Sequence, residues 1–260
     1  MTPAVQFSWA VRTDNGLRRT SNEDSHISRP EIGLFIVADG MGGHVAGEVA
    51  SRVAVESIAA FIEETAGADK NRTWPFPFDP TLSIEANRLK AAFRLANRRI
   101  AATIADSEDL RGMATTASAI LHGPTHSCVA HIGDSRVYVL RGDSLRQLTD
   151  DHSWVEEQVR AGTLTPAAAR QHPWRNVVTR ALSGGEDPDV DVVEIEPKPG
   201  ERYLLCSDGL FGVVGDEQIA TIVSDRSASL DEICARLIDA ANEAGGPDNI
   251  TAMILQVDAP

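Results

Sequence analysis

Cysteine is scarce in this chain: Cys128, Cys206 and Cys234 are the only three among 260 residues. The number is odd, the spacing is wide and no CxxC pair occurs, so neither a disulfide framework nor a zinc ribbon is available. Cys128 and Cys206 lie in apolar runs and are expected to be buried free thiols in a reducing compartment. Positive charge is also short. Lys and Arg number 24 against 38 Asp and Glu, a net charge of −14, which argues against nucleic acid as the main partner. No apolar run reaches the roughly 20 residues of a membrane span. The N-terminus also lacks the charged start and apolar core of a signal peptide. The expectation is a cytoplasmic protein without a membrane partner, built as one domain over 1–260 with ample apolar residues for a core.

What is present first is a set of short apolar runs. Residues 5–12 alternate through Val5, Phe7, Trp9 and Val11 and predict a half-buried strand. Leu34 to Ala38 is too brief for a helix and reads as a buried strand ending on Asp39-Gly40-Met41-Gly42-Gly43. Two helical patterns follow, Ala46–Thr65 and Glu85–Asp106, separated by a Pro- and aromatic-rich insertion over 67–83. That insertion is expected to pack over the helix pair, with a docking surface at Trp74, Phe76 and Phe78 as the alternative. Two helices without an intervening strand argue against a simple alternating α/β fold. Beyond them come strand-like runs at 115–121, 127–132, 137–140 and 144–148, then a polar, helix-prone segment at 150–185 that interrupts the strands like a flap. Strands at 190–195, 202–206 and 250–257 and helices at 216–223 and 230–243 complete an α+β pattern of antiparallel sheets with helices in pairs.

Four of these strands begin or end at an aspartate close to glycine. Asp39 closes the first such run, and Asp208 repeats the arrangement in Tyr203-Leu204-Leu205-Cys206-Ser207-Asp208-Gly209. Asp134 closes the run ending Ile132-Gly133, and Asp248 follows Gly245-Gly246-Pro247 just before the last strand. A lone Asp-Gly is most often a turn, but four at strand ends suggest convergence. Converging carboxylates repel unless cations hold them together. Without a His or Cys cluster the donors are oxygens, which favour Mg²⁺, Mn²⁺ or Ca²⁺ over zinc. Three other motifs fail. The Asp187-Pro188-Asp189-Val190-Asp191 start of a calcium loop has Val192 where glycine is needed and Lys198 where glutamate is needed. A dinucleotide-binding loop has Val45 in place of its third glycine, and no GK[ST] follows the glycines. A thiol phosphatase built on Cys206 would need arginine where Gly212 stands.

Five motifs occur in order: Arg19-x-x-Asn22-Glu23-Asp24, Asp39-Gly40-Met41-Gly42-Gly43, Gly133-Asp134-Ser135-Arg136, Ser207-Asp208-Gly209 and Asp248-Asn249-Ile250-Thr251. Together they resemble the bacterial branch of the PPM (PP2C-like) metal-dependent serine/threonine phosphatases, over residues 7–257. Gly112-Met113-Ala114-Thr115-Thr116 is similar to a further motif, with Ala114 where glycine is usual, and Asp151-His152-Ser153 to Ala181-Leu182 resembles the family's flap. The resemblance implies a β-sandwich of two antiparallel sheets flanked by pairs of antiparallel helices. It also implies Mn²⁺ or Mg²⁺ as cofactor, two ions in the core site and a third, weaker site. Asp39 would bridge the two ions with the Gly40 carbonyl on one. Asp208 and Asp248 would hold the other, and Glu23, with Asp24 beside it, would act through water. Asp134 would join Asp208 at the third site, and Arg19 would grip the substrate phosphate.

The implied reaction is hydrolysis of phosphoserine and phosphothreonine proteins by a metal-bridging hydroxide, by a monomer that opposes a serine/threonine kinase. The alternative is a non-catalytic pseudophosphatase that only binds phosphoproteins. Met41 stands where some relatives carry a histidine proposed as general acid. His44 is the nearest candidate by sequence, with a metal-bound water as the other.

Overall fold

In the computed structural model, which describes residues 6–43, 45–67, 73–123 and 126–258, two sheets carry the chain. Strands β1 (Phe7–Asp14), β2 (Asp24–Arg29) and β3 (Leu34–Met41) precede helices α1 (Ala46–Glu64) and α2 (Ile84–Asp106). Strands β4 (Ala114–Thr115), β5 (Ala117–His122), β6 (Ser127–Ile132), β7 (Arg136–Arg141) and β8 (Ser144–Gln147) form the middle of the chain. Short helices α3 (Trp154–Arg160) and α4 (Pro166–Arg170) lead to β9 (Asp191–Ile195) and β10 (Arg202–Cys206). The chain then runs through α5 (Asp208–Phe211), α6 (Asp216–Ser224), α7 (Leu230–Glu243) and β11 (Ile250–Val257).

One sheet has the order β1-β11-β10-β7-β8 and the other β2-β3-β5-β6-β9, with β4 pairing the end of β3. Every pairing is antiparallel. Because both faces of the central strands are covered, they read as continuous apolar runs, with the side-chain period visible only in what each residue touches. In β3, Phe35 and Val37 enter the layer between the sheets, where they meet Val139, Tyr203, Leu205 and Met253. Leu34, Ile36 and Ala38 point the other way, onto Ala50, Ile58, Leu89 and Phe93 of α1 and α2. On the opposite outer face, Leu204, Cys206 and Ile254 pack against Ile233, Leu237 and Ala241 of α7. The result is helix pair, sheet, sheet, helix pair, as the α+β expectation required. Cys128, Cys206 and Cys234 are all buried and unpaired.

Local chemistry accounts for the helix starts. Ser83, Ser153 and Thr165 accept a backbone N–H at the N-termini of α2, α3 and α4, and Ser229 forms a capping box with Glu232 at α7. Three details depart from the sequence reading. The expected 115–121 strand breaks at Thr116 into β4 and β5. Trp9 shares the inner face of β1 with Phe7 and Val11, its ring centroid 6.3 Å from that of Phe35, but stays 40% exposed on this edge strand, and Val5 falls outside the described residues. The four-residue α5 follows Asp208 directly, too short to leave any periodicity. Phe76 of the 67–83 insertion is buried in the same core cluster as α1 and α2, its ring under Arg98 of α2 at 4.2 Å, with Trp74 packed against that cluster, so the described part of the insertion packs onto the helices. Residues 68–72 lie outside the described range. Among the described residues no helix is long and apolar enough to cross a membrane.

Candidate metal and phosphate site

Topology brings the acidic strand ends together. Strand β3 runs antiparallel to β5 and β5 antiparallel to β6, so Asp39 and Asp134 leave their strands at the same edge of one sheet. In the other sheet Cys206 pairs with Ala252 and Asp14 with Ile250. The end of β10, the start of β11 and the end of β1 therefore share one edge, which carries Asp208, Asp248 and the Arg19–Glu23 loop.

Asp24 joins the two edges. It pairs with Asp39 across β2 and β3, and its Oδ2 accepts hydroxyls from Ser207 (2.7 Å) and Thr251 (2.6 Å) of the other sheet. Its Oδ1 is buried without a hydrogen-bond partner, a costly condition for a carboxylate. The Asp39 backbone is fixed as firmly. Its N–H donates to Thr116 Oγ1 (3.1 Å), and its carbonyl accepts from Thr116 N (2.9 Å) and Thr115 Oγ1 (2.8 Å). Asn249 takes the Glu23 N–H on Oδ1 (2.8 Å) and donates to the carbonyls of Asn15 and Ser21, lacing the Arg19–Glu23 loop to β11. Gly40 and Gly47 are needed for closeness: a Cβ on Gly40 would strike the Gly47 carbonyl, and one on Gly47 would strike the Glu23 carboxylate. Arg19 lies half-exposed with Nη2 2.8 Å from Asp248 Oδ2.

The electrostatics are those of a cluster with too much negative charge. Burial first, and then the charges of Asp24, Asp208, Asp134 and Asp248, hold the Asp39 carboxyl well above the usual carboxylate range. Burial likewise pushes Asp24 up to about 7, against the pull of its two hydroxyl donors, and Asp134 up to about 8 with help from Asp208 and Asp151. Asp208 rises to about 6 through burial and the charge of Asp248. Native chains do not ordinarily gather like charges without an opposing partner. The orphaned Asp24 Oδ1 and the all-oxygen donor set fit hard divalent cations.

A second titratable group lies behind Asp134 and was not singled out from sequence. His131, His152 and the partly exposed Asp191 present nitrogen and oxygen atoms within 4.8 Å of one another. The ligand-bearing lone pairs do not converge, because the two imidazole rings stack at 4.6 Å with planes 26° apart. Proton bookkeeping agrees: His152 Nδ1 accepts from Gly133 N–H (3.1 Å), which leaves its proton on Nε2, 3.0 Å from Asp191 Oδ2. His131 Nε2 faces the Asp150 carbonyl at 2.8 Å. This group is a hydrogen-bonded brace. With Arg136 gripping Asp151 (2.7 and 2.9 Å) and His152 N–H on the Gly133 carbonyl (2.9 Å), it ties the Asp134 loop to the start of the 150–185 segment.

Of the residues singled out from sequence, Arg19, Glu23, Asp39, Gly40, Asp134, Asp208 and Asp248 are brought to the one edge. His44 falls outside the described residues. The supporting residues missed were Ser207, Asn249, Thr251 and Thr116. All lie inside or beside the quoted motifs, and their polar types next to aspartates were the signal.

A family model for protein phosphatase 2C matches residues 17–253. The chain belongs to the protein phosphatase 2C family. Among its relatives, the serine/threonine protein phosphatase PstP of Mycobacterium tuberculosis is 40% identical over 250 residues, which cover 96% of this chain and 45% of PstP. The chain thus spans about half the length of that relative. The serine/threonine phosphatase stp of Listeria welshimeri is 35% identical over 251 residues, covering 94% of both chains. The crystal structure of PstP superposes with a TM-score of 0.86 at 38% identity, covering 98% of this chain and all of that one. The PstP catalytic domain in complex with two manganese ions gives a TM-score of 0.83 at 37% identity, with the same coverage.

Proposed function

We propose that this chain is a metal-dependent protein-serine/threonine phosphatase acting on phosphorylated proteins. The observation that carries the reading is the convergence of Asp39, Asp134, Asp208 and Asp248 around the buried Asp24. Burial and mutual repulsion lift the carboxyl groups of Asp24, Asp39, Asp134 and Asp208 together. Asp39, the Gly40 carbonyl, Asp208 and Asp248 would hold two Mn²⁺ or Mg²⁺ ions, with Glu23 acting through water and Asp134 with Asp208 at a third site. When bound, such ions neutralise phosphate charge and make a coordinated water acidic enough to attack phosphorus near neutral pH.

The chain's own residues then have separable tasks. The Arg19 guanidinium, held at the mouth of the cluster by Asp248, offers a planar fork to two phosphate oxygens. Thr115 and Thr116 keep the Asp39 backbone in place, and Asn249 keeps Arg19 and Glu23 at working distance. Met41 cannot give a proton to the leaving alkoxide, so the donor lies elsewhere, with His44 the nearest side chain by sequence. The 150–185 segment, braced against the Asp134 loop, is the proposed chooser among phosphoprotein substrates, and a serine/threonine kinase is the expected opponent. Retention of every acidic residue counts against a pseudophosphatase. The test is hydrolysis of p-nitrophenyl phosphate and of a phosphothreonine peptide with Mn²⁺. Turnover that disappears in Asp39→Ala supports the enzyme, and no turnover on either substrate in the wild type overturns it.

A further inference from the structure

Large apolar side chains are exposed at few places on this surface, and unevenly. Among the described residues the four most exposed are Leu17 (65%), Val45 (59%), Trp174 (54%) and Val177 (45%). Trp9 on β1, Leu95 on α2 and Val193 on β9 reach only 36–40%. A single exposed leucine or valine is ordinary. Four on the three segments joined to the carboxylate edge form a pattern of the kind that marks a contact surface.

Each of the four is tied to a residue of that edge. Leu17 lies two residues before Arg19, and its N–H donates to the carbonyl of Gly246 (2.8 Å), two residues before Asp248. Its side chain leans on bare backbone, since a Cβ on Gly246 would come within 2.9 Å of Leu17 Cγ. Val45 follows the glycines after Asp39 and lies two residues before Gly47, which packs on the Glu23 carboxylate. On the 150–185 segment the Val177 carbonyl accepts the Trp154 N–H (2.8 Å), and the Thr179 N–H donates to the His152 carbonyl (2.8 Å). The His152 N–H in turn is on the Gly133 carbonyl (2.9 Å), next to Asp134. Trp174 is fixed from several sides. Its carbonyl accepts the Val177 N–H (3.1 Å), its N–H donates to His172 Nδ1 (3.1 Å), and its ring stands edge-on to Trp154 at 4.8 Å. A side chain held in this way loses little freedom when a partner covers it.

Two residues of chain span at most about 7 Å, and an extended peptide advances about 3.3 Å per residue. A phosphorylated residue with its phosphate at Arg19 and the acidic edge therefore carries its neighbours, up to about three positions away, across these side chains. The occupant of the apolar positions is the peptide that delivers the phosphate. Resting on the phosphatase reading, we propose that Leu17, Val45, Trp174 and Val177 form an apolar rim that selects phosphorylated segments with large apolar or aromatic residues flanking the phosphorylated one. Burial of those flanks supplies affinity that does not depend on charge, and flanks of serine or glycine forgo it.

The test reads binding apart from turnover. Two fluorescein-labelled seven-residue peptides carry the non-hydrolysable phosphonate analogue of phosphoserine at the centre, one flanked by Leu and Phe and the other by Ser. Their Kd values on the Mn²⁺-loaded protein are compared by fluorescence anisotropy, beside turnover of p-nitrophenyl phosphate and of a phosphothreonine peptide. The apolar peptide should bind at least about tenfold more tightly, the worth of one buried apolar side chain. Leu17→Ser and Trp174→Ser should each cut that preference several-fold while the Kd of the Ser-flanked peptide holds, whereas a folding defect would weaken both peptides together. Equal or undetectable binding of the two peptides, or a preference untouched by both Leu17→Ser and Trp174→Ser, overturns the rim. A preference that stands in a protein turning over neither substrate keeps the rim and overturns only the phosphatase reading.

Discussion

Stripped of divalent cations, this protein should lose stability as pH rises through neutrality. A carboxyl whose folded-state pKa is raised stays protonated in the native chain after the unfolded chain has released its proton. Its contribution is therefore complete below about pH 4 and is lost as pH climbs through the folded value. Asp24, at about 7, and Asp134, at about 8, place that loss in the neutral range. Other groups act elsewhere. Asp225, Asp231 and Glu232 are held low by hydrogen bonds from Ser227, Arg12 and Ser229, so their stabilisation is lost only in acid. Burial lowers His26 and His131, so their effect, stability rising with pH, ends near the ordinary imidazole value of about 6.5. Between about pH 6.5 and 8.5 the carboxylates alone decide the sign, and Asp134 by itself removes about 2 kcal/mol. For a chain of this length that is a fall in Tm of about 4–8 °C. The assay is thermal unfolding by circular dichroism in EDTA across this range, repeated with excess Mn²⁺. The melting temperature should fall with pH in EDTA, and Mn²⁺ should restore it most at the alkaline end, by about 2.7 kcal/mol per site at a hundredfold excess over Kd. A melting temperature that is flat or rising in EDTA refutes the reasoning.

Gly47→Ala should cost most of the activity while the chain stays folded, because the new methyl displaces the Glu23 carboxylate; kcat with Mn²⁺ beside a circular dichroism spectrum checks both halves. Arg19→Ala should raise KM for a phosphothreonine peptide about tenfold or more, with Arg19→Lys recovering only part of it, since a point charge lacks the bidentate fork. Thr116→Val removes the acceptor of the Asp39 N–H and should destabilise the fold by about 1–3 kcal/mol, measured by urea denaturation. Were His44 the general acid, His44→Ala would flatten the alkaline arm of the pH–rate profile; an unchanged arm dismisses it.

Much of the candidate site was legible because its acidic residues come from separate short motifs at strand ends, where Asp close to Gly is conspicuous. Asp39, Asp208 and Asp248 needed only the order of strands to meet. Asp24 was harder to place. It read as one more acid in a polar loop, and its role as the tie between the sheets depends on Ser207 and Thr251, 183 and 227 positions away. The His131–His152–Asp191 brace was invisible for the same reason, its members lying on β6, at the flap entrance and on β9. Local patterns misled where packing intervened. Alternation in β1 put Trp9 on the half-buried face with Phe7 and Val11, and it lies there against Phe35, but on an edge strand that face leaves it 40% exposed. The apolar run at 115–121 concealed a break, because Thr116 turns aside to bond the Asp39 backbone. The four residues of α5 are too few to show a helical period.

The central claim, that the carboxylate edge is a divalent-cation site built on Asp39, is tested most directly by calorimetric titration of the metal-free protein with Mn²⁺, beside Asp39→Ala. Two tight sites in the wild type, both lost together in Asp39→Ala because one residue serves both ions, are the predicted result. Mn²⁺ binding that survives undiminished in Asp39→Ala would contradict the account.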